Sequence, residues 1–503
     1  MPRATSIPPD ANFYSAEQCR ELDRRAIASG IPGFELMSRA GAAAFTLLQQ
    51  RWSDCSPIEI FCGGGNNGGD GYIVAALAAE AGIPVRLWSL KDELNGDAAL
   101  ARAAAERAGV VIQAWQGELP QAGAVIVDAL LGTGLSGEVR EPYSAAIKAI
   151  NHSGCPVLGV DIPSGLCSDT GVALGEVVRA DITLSFIALK LGLVTSIAPE
   201  FVGELILNDL QIPASVYSEM VPQASAINRC VLQARLGARP RHAHKGMFGH
   251  VLVVGGDYGM AGAAILSASA AARCGAGLVS CATREENLAA LLSVRPEVMG
   301  RGVEGSGDLE SLLERASVLA VGPGLGQQDW GAELLKHTLA TDVPVVLDAD
   351  ALNLIAREQF KLRKEGSAAP RVLTPHPAEA ARLLGISTAE VQADRRAAVL
   401  AIAKRYSATV LLKGAGTLIA EFDQSGQPCV AVNLGGNPGM ASGGMGDVLT
   451  GMIAALLAQG LSAFEATCLA ASLHCRAADF AAAEGERGML AMDVVAQLRR
   501  VIN

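Results

Sequence analysis

The segment Asn437-Pro438-Gly439-Met440-Ala441-Ser442-Gly443-Gly444-Met445-Gly446-Asp447-Val448-Leu449-Thr450-Gly451 is a glycine-dense loop that runs straight into an apolar, helix-like stretch, Val448 to Gln459. Glycines let backbone amides approach a bound group closely, and the following helix points its positive end at the same place. That combination holds an anion. Asp447 falls in the first helical turn, where a carboxylate is stable and well aimed. A carboxylate beside an anion cradle suits activation of a hydroxyl for phosphoryl transfer. A lone G-x-G-D would read as a capped helix start; the glycine density of this run favours an anion site.

Four more segments of the second half are of the kind that gathers at one sheet edge. Val321-Gly322-Pro323-Gly324-Leu325-Gly326 follows a strand and lets a ligand approach backbone. Asp348-Ala349-Asp350-Ala351-Leu352-Asn353 puts two carboxylates at a strand end, suited to a magnesium–phosphate or ribose contact. Leu373-Thr374-Pro375-His376-Pro377-Ala378-Glu379 sets a histidine between two prolines, which limit its freedom. Leu411-Leu412-Lys413-Gly414-Ala415-Gly416-Thr417 brings a lysine and a glycine turn to a strand end, a phosphate contact. Taken singly, DADAL reads as a cap and His376 as a structural histidine. Their order and shared strand-end position raise them.

The first half offers three loops. Gly63-Gly64-Gly65-Asn66-Asn67-Gly68-Gly69-Asp70-Gly71 follows a strand and opens a helix, the place where open α/β sheets bind ligands. It is not a G-x-G-x-x-G fingerprint in its normal setting. Its amides suit a phosphate, and its side-chain oxygens suit a hard cation. Val127-Asp128-Ala129-Leu130-Leu131-Gly132-Thr133-Gly134-Leu135-Ser136-Gly137-Glu138 supplies a carboxylate and a flexible lip. Val160-Asp161-Ile162-Pro163-Ser164-Gly165-Leu166 supplies a second carboxylate and a hydroxyl. Both aspartates end apolar strands. Each alone is as readily a turn former as a site residue; together, beside the NNGGD loop, they define a shared site.

The elements that must position these loops alternate strand and helix. Arg20 to Gln50 forms one or two helices. Ile58–Cys62, Val85–Trp88, Ala124–Asp128, Val157–Asp161, Asp181–Phe186 and Leu205–Asn208 are strands, with helices over Gly71–Ala81 and Asp97–Ala108. A polar, Pro-containing connection runs from Pro213 to Arg241. His250–Val254, Gly277–Cys281, Val318–Gly322, Val343–Leu347, Arg371–Thr374 and Thr409–Lys413 form a second series of the same type. Strand–loop–helix repetition implies a parallel doubly wound sheet in each half, with a boundary near residue 225, giving domains 1–225 and 226–503. Met440, Met445 and Met452 are packing residues, and Arg241-His242-Ala243-His244-Lys245-Gly246 is a solvated interdomain face.

Composition fits and excludes. The 503 residues suffice for two or three domains, and 50% are hydrophobic, with a mean hydropathy of +0.30. Aromatics at 4% and a net charge of −11 argue against base-stacking platforms, duplex binding and membrane surfaces. The eleven cysteines include no C-x-x-C and read as reduced core thiols of a cytoplasmic protein rather than disulfides or zinc ligands. Met1 to Asn12 has no apolar core of a signal peptide. Ala261 to Ala282 is too interrupted for a membrane span and reads as a buried helix followed by a strand.

The loop at Gly443–Gly451 resembles the anion hole of ribokinase-like kinases. More narrowly, the order GPGLG, DADALN, TPHPAE, LLKGAGT, GGMGDVLTG resembles the dehydratase domain of the bifunctional NAD(P)H-hydrate repair enzymes over about residues 227 to 500. The TPHP element separates it from ordinary sugar and vitamin kinases. The three first-half loops, with Leu36-Met37-Ser38-Arg39-Ala40-Gly41, resemble the epimerase domain of the same family over about residues 15 to 215. Ser38 departs from the acidic residue more common there.

The resemblance implies a Rossmann-like first domain and a ribokinase-like second. It implies a potassium ion near Asn67, Asp128 and Ser164. Asn66, Asn67, Gly68, Gly69, Asp70, then Gly132, Thr133, Gly134, Leu135, Ser136, Gly137, Glu138, and Asp161 would contact the hydrated nucleotide, with Asp161 transferring the proton at the hemiaminal carbon. Gly324, His376 and Asp447 would meet the hydrated dinucleotide in the second domain. Lys413, Gly414, Ala415, Gly416, Thr417 and Gly446 would meet ADP or ATP, used with Mg2+, and Asp447 would be the base. The expected protein epimerises hydrated NADH or NADPH and dehydrates the S form, as a homo-oligomer. A small-molecule kinase with a non-catalytic N-terminal module is the alternative. A nicotinamide oxidoreductase ranks behind both, for want of a standard dinucleotide fingerprint.

Overall fold

The computed structural model describes residues 7–358, 360–362 and 366–503. The first six residues of the leader reading therefore lie outside the described residues. The chain divides into two compact units, one running through Ser225 and the other from Ala226 to Asn503.

In the first unit, mostly apolar runs become strands buried on both faces, as parallel sheets require, and even the polar residues among them, such as Thr183 and Ser185, are buried. The sheet order is Ile112–Ala114, Val85–Ser89, Ile58–Cys62, Val125–Ala129, Val157–Val160, Ile182–Phe186, Glu204–Asn208, with parallel pairing throughout. Ile58–Cys62 pairs with Val125–Ala129 in register from Ile58 opposite Val125 to Cys62 opposite Ala129. Two helices, Ala16–Ala28 and Gly33–Arg51, precede the sheet. Ser15 and Gln18 close a capping box at the start of the first. The helix after Cys62 spans Asn66–Glu80, so Asn66 to Gly71 form its first turns and not a free loop. The strand Ile112–Ala114 and the helix Tyr143–His152 went unread in the sequence.

In the second unit the sheet runs Met299–Gly302, Leu278–Thr283, His250–Val254, Val318–Val321, Val345–Leu347, Arg371–Leu373, Thr409–Leu412, all parallel. Two antiparallel strands, Thr417–Phe422 and Pro428–Asn433, extend it. The residues from Lys413 to Thr417 are therefore the turn of an antiparallel hairpin, where a uniform parallel series was expected. The helix Met445–Ala458 is apolar all round and buried between neighbours such as Ala261–Arg273. The stretch Ala261 to Ala282 is a helix to Arg273 and a strand from Leu278.

The Pro213–Arg241 connection is folded, with a strand at Ala224–Ala226 and a helix at Arg229–Leu236. All eleven cysteines are free thiols. Cys19, Cys62, Cys274, Cys281 and Cys468 are buried, but Cys230 is exposed and the others are partly so, which corrects a reading of all as core. Among the described residues no helix is long and apolar enough to cross a membrane.

Candidate active sites

In the first unit, four adjacent strands deliver polar groups to their carboxyl ends: Ile58–Cys62, Val125–Ala129, Val157–Val160 and Ile182–Phe186. A Cβ on Gly63 would stand 1.8 Å from the Leu130 carbonyl oxygen, so only glycine lets the first two strand ends close together. Asn66 is exposed, whereas Asn67, Gly68, Gly69 and Asp70 are buried. The next lip packs onto this turn, since a Cβ at Gly132 would lie 3.2 Å from Asn67 Cβ. Gly134, Ser136, Gly137 and Glu138 are exposed along that lip; Thr133 and Leu135 are half-buried.

Asp128, wholly buried, is held by the Ser164 hydroxyl at 2.6 Å, the Ser164 amide at 2.8 Å and the Leu130 amide at 3.3 Å. Burial raises its carboxyl to about 6 despite these donors. Asn67 is 8% exposed, and neither its amide oxygen nor its nitrogen has a hydrogen-bond partner among the described residues. A buried, orphaned carbonyl oxygen packed against Gly132, next to the Leu131 amide that donates to Ser164, fits a hard, weakly hydrated cation. No group of three or more histidine, cysteine, aspartate or glutamate side chains among the described residues makes a conventional metal cluster.

Asp161 has φ of +66°, a conformation side chains rarely adopt. Its Oδ1 accepts from the Phe186 amide at 3.1 Å and from the Lys190 ammonium. Lys190 was not read from the sequence, although a lysine in the apolar run Ile187-Ala188-Leu189-Lys190-Leu191 was a usable signal. Asp23, on the first helix, was missed as well. Burial raises its carboxyl to about 6, and the charge of Asp161 adds to this. Asp70 lies well above the ordinary carboxylate range, through burial first and then through Asp161 and Asp23.

In the second unit five strand ends converge. Gly324, with φ of +59°, is locked to the turn after His250–Val254: its carbonyl accepts from the Asp257 amide at 2.7 Å. Asp350 fastens the same loop, accepting from the Gly326 amide at 3.0 Å and the Gln327 amide group at 2.9 Å. Asp348 is the hub. Its Oδ1 accepts from Lys413 at 2.6 Å and Thr374 at 2.8 Å, and its Oδ2 from Thr450 at 2.8 Å. Burial opposes the charge of Asp348, but Lys413, with the Thr450 and Thr374 hydroxyls, holds its carboxyl below the ordinary value. Wholly buried, with its charge already answered by Lys413, Asp348 does not fit the magnesium contact expected of the DADAL pair.

Lys413 is thus an ion-paired lysine, and burial of its ammonium is outweighed by Asp348 and Glu379. The turn after it leaves Gly414 and Ala415 exposed, with Thr417 Oγ1 donating to the Gly414 carbonyl at 2.8 Å. At Gly446 a Cβ would lie 3.0 Å from Lys413 Nζ, so any side chain there would crowd the lysine. Asp447 sits in the first turn of Met445–Ala458, with Gly444 at φ of +90° before it. Burial, then the charge of Asp348, raises Asp447 to about 7.

His376 caps the helix Pro377–Leu384, its Nδ1 accepting from the Ala378 amide at 3.1 Å, while its Nε2 lies 3.3 Å from Glu379 Oε1. Burial, with Lys413 and Arg382, lowers its pKa, so the ring is neutral at pH 7. Burial lifts Glu379 to about 7. Neither Glu379 nor His474 was singled out in the sequence. His474 is buried, driven down to about 4 by burial and by Lys413, and its Nε2 lacks a partner among the described residues. An ionisable side chain inside an apolar helix was the available clue.

The architecture and the paired sites define a two-domain α/β enzyme. The NAD(P)H-hydrate dehydratase family matches residues 251–500, and the family described as YjeF-related protein N-terminus matches residues 33–192. A bifunctional NAD(P)H-hydrate repair enzyme of Coxiella burnetii is 47% identical over 494 residues, covering 98% of this chain and 99% of the relative. The corresponding enzyme of Escherichia coli is 44% identical, covering 97% of this chain and 94% of its own length. A solved Streptococcus mutans structure, titled a hypothetical protein, is 32% identical with a TM-score of 0.50, covering 55% of this chain and 98% of its own. The chain belongs to the bifunctional NAD(P)H-hydrate repair enzyme family.

Proposed function

We propose that domain 1–225 interconverts the R and S epimers of hydrated NADH and NADPH, and that domain 226–503 dehydrates the S epimer at the expense of ADP or ATP. The observation that carries the second activity is Asp447: a carboxylate raised to about 7 at a helix N-terminus, beside a glycine that opens onto Lys413. A base poised near neutral pH at an anion cradle is matched to deprotonating a hydroxyl during phosphoryl transfer. In this reading Lys413, Gly414, Ala415, Gly416, Thr417 and Gly446 take the nucleotide, which enters with its Mg2+. Gly324, His376 and Asp447 face the hydrate.

The hydroxyl proton passes to Asp447, the oxygen takes the terminal phosphoryl group, and AMP or ADP leaves. Phosphate then departs from the hemiaminal carbon as the ring nitrogen lends its electron pair. Loss of a proton from the neighbouring carbon restores the ring double bond. A poor leaving group becomes a good one, which is why a dehydratase uses a kinase-like site.

In the first domain Asp161 exchanges the proton of the hemiaminal hydroxyl. Asn66 to Asp70 and Gly132 to Glu138 border the substrate. Potassium fits at Asn67, Asp128 and Ser164, where its charge would answer the buried Asp128 carboxylate and the orphaned Asn67 oxygen. The reading places the protein in the cytoplasm, where reduced nicotinamide nucleotides are held, and as a homo-oligomer, which sedimentation would test.

The deciding experiment supplies mixed-epimer NADH hydrate with ADP, with ATP and with neither, and follows the reduced-nicotinamide absorbance. Nucleotide-dependent conversion of both epimers, faster than spontaneous epimerisation, is expected and names the donor. No recovery with either nucleotide overturns the dehydratase, and accumulation of a stable phosphorylated product would point to a kinase.

A further inference from the structure

Lys190 closes the short strand Leu189–Lys190 and is 1% exposed. Its ammonium donates to Asp161 Oδ1, to Ser185 Oγ at 3.0 Å and to the Phe186 carbonyl at 3.4 Å. Cys19 and Asp23 face it from the helix Ala16–Ala28, and Asp70, on the helix Asn66–Glu80, feels its charge. Three aspartates thus surround one buried ammonium, but the hydrogen bond goes to Asp161. Burial raises the carboxyls of Asp70 and Asp23 above the ordinary range, while Lys190 stays charged: burial opposes its charge and Asp161 outweighs that. Asp161 is also the residue with the left-handed backbone, which needs an anchor to persist. With Oδ1 anchored, and the side chain 17% exposed, its second oxygen has no hydrogen-bond partner among the described residues and stands open to another.

We propose that Lys190 is a positioning residue of the epimerase centre: by gripping Asp161 Oδ1 it fixes that carboxylate in its strained turn and presents Oδ2 to the hydroxyl on the hemiaminal carbon. The proposal rests on Asp161 being the proton-transfer group. Epimerisation then needs no net proton change. The hydroxyl proton moves to Oδ2 as the bond from that carbon to the ring nitrogen opens, its electron pair staying on nitrogen. After rotation the bond re-forms on the other face and the proton returns.

The test compares Lys190→Met, Lys190→Arg, Asp161→Asn and the double variant Lys190→Met/Asp161→Asn, scoring kcat and KM for conversion of pure R hydrate, with nucleotide-dependent turnover of pure S hydrate measured alongside. Lys190→Met is expected to lower epimerase kcat about a hundredfold, in the general acid–base range, with KM within about twofold. Lys190→Arg is expected to regain about tenfold of this. The double variant relieves the unpaired buried charge and should be as slow as Asp161→Asn alone, so that the Lys190 change adds nothing once the carboxylate is gone. Full epimerase activity in Asp161→Asn would overturn the underlying reading. A slow Asp161→Asn beside a fully active Lys190→Met, or a Lys190 effect that persists undiminished on the Asp161→Asn background, would overturn the positioning role.

Discussion

Asp348 and Asp447 are neighbouring carboxylates held in opposite states. Asp348 is kept charged by Lys413 and two hydroxyls, and its charge helps raise Asp447 to about 7. Pushing paired groups apart in this way is how one site separates a fixed anion from a working base. The base must be ionised, so dehydratase kcat with saturating nucleotide should fall about tenfold per unit as pH drops below about 7, and level off above it; a pH–rate profile on S hydrate checks this. Asp447→Asn should lower that rate by about 10²–10⁴. It should also stabilise the fold. A carboxyl whose folded pKa lies above its unfolded value binds more protons when folded, so stability falls as pH rises from about 4 towards about 7. The asparagine lacks this penalty, and its melting temperature at pH 8 should exceed that of the parent, measured by calorimetry. Asp447 was legible because the glycine run around it is contiguous. The Asp348 hub was not, since Thr374, Lys413 and Thr450 meet it only through the sheet order, and Lys190 and Asp161, 29 residues apart, meet only in the folded chain.

Among the elements, the strand types were readable from their apolar runs, and the loops at their carboxyl ends were readable as sites. Their exact form was not. Asn66 to Gly71 looked like loop because five of its six residues are glycine or asparagine, poor helix formers, yet burial against Gly63 and Met37 draws them into the helix. The hairpin after Thr409–Leu412 escaped because its antiparallel partners carry the same apolar residues as the parallel strands. At the start of Met445–Ala458 the geometry makes a sharp claim. In Gly446→Ala the new methyl would press on Lys413 Nζ at 3.0 Å and Asp348 Oδ2 at 3.4 Å. Alanine favours the helix, so the melting point should hold while kcat/KM for the nucleotide falls about tenfold, ~1.4 kcal/mol of transition-state stabilisation. Steady-state kinetics and a melt on one preparation test both halves.

At the scale of the molecule, each compact unit holds its own run of seven parallel strands and one of the two proposed sites. Inactivating one site should therefore leave the other working. An equimolar mixture of Asp161→Asn and Asp447→Asn proteins should convert pure R hydrate to NADH with nucleotide, though neither variant does so alone above the spontaneous rate. Failure of the mixture, with each single activity intact, would mean that the substrate must pass within one chain. The two-part organisation was legible from the double series of strands, but the helix Arg229–Leu236 inside the supposed connection was not, because it is only eight residues long and buries none of them. That same helix carries Cys230, the exposed member of eleven thiols, while burial pushes Cys19, Cys274 and Cys281 up to about 12. A buried neutral thiol is inert, so a brief, substoichiometric exposure to a maleimide dye should tag Cys230 first. The chain thus brings its own attachment point for a fluorophore, just past Ala226, with no engineered cysteine needed.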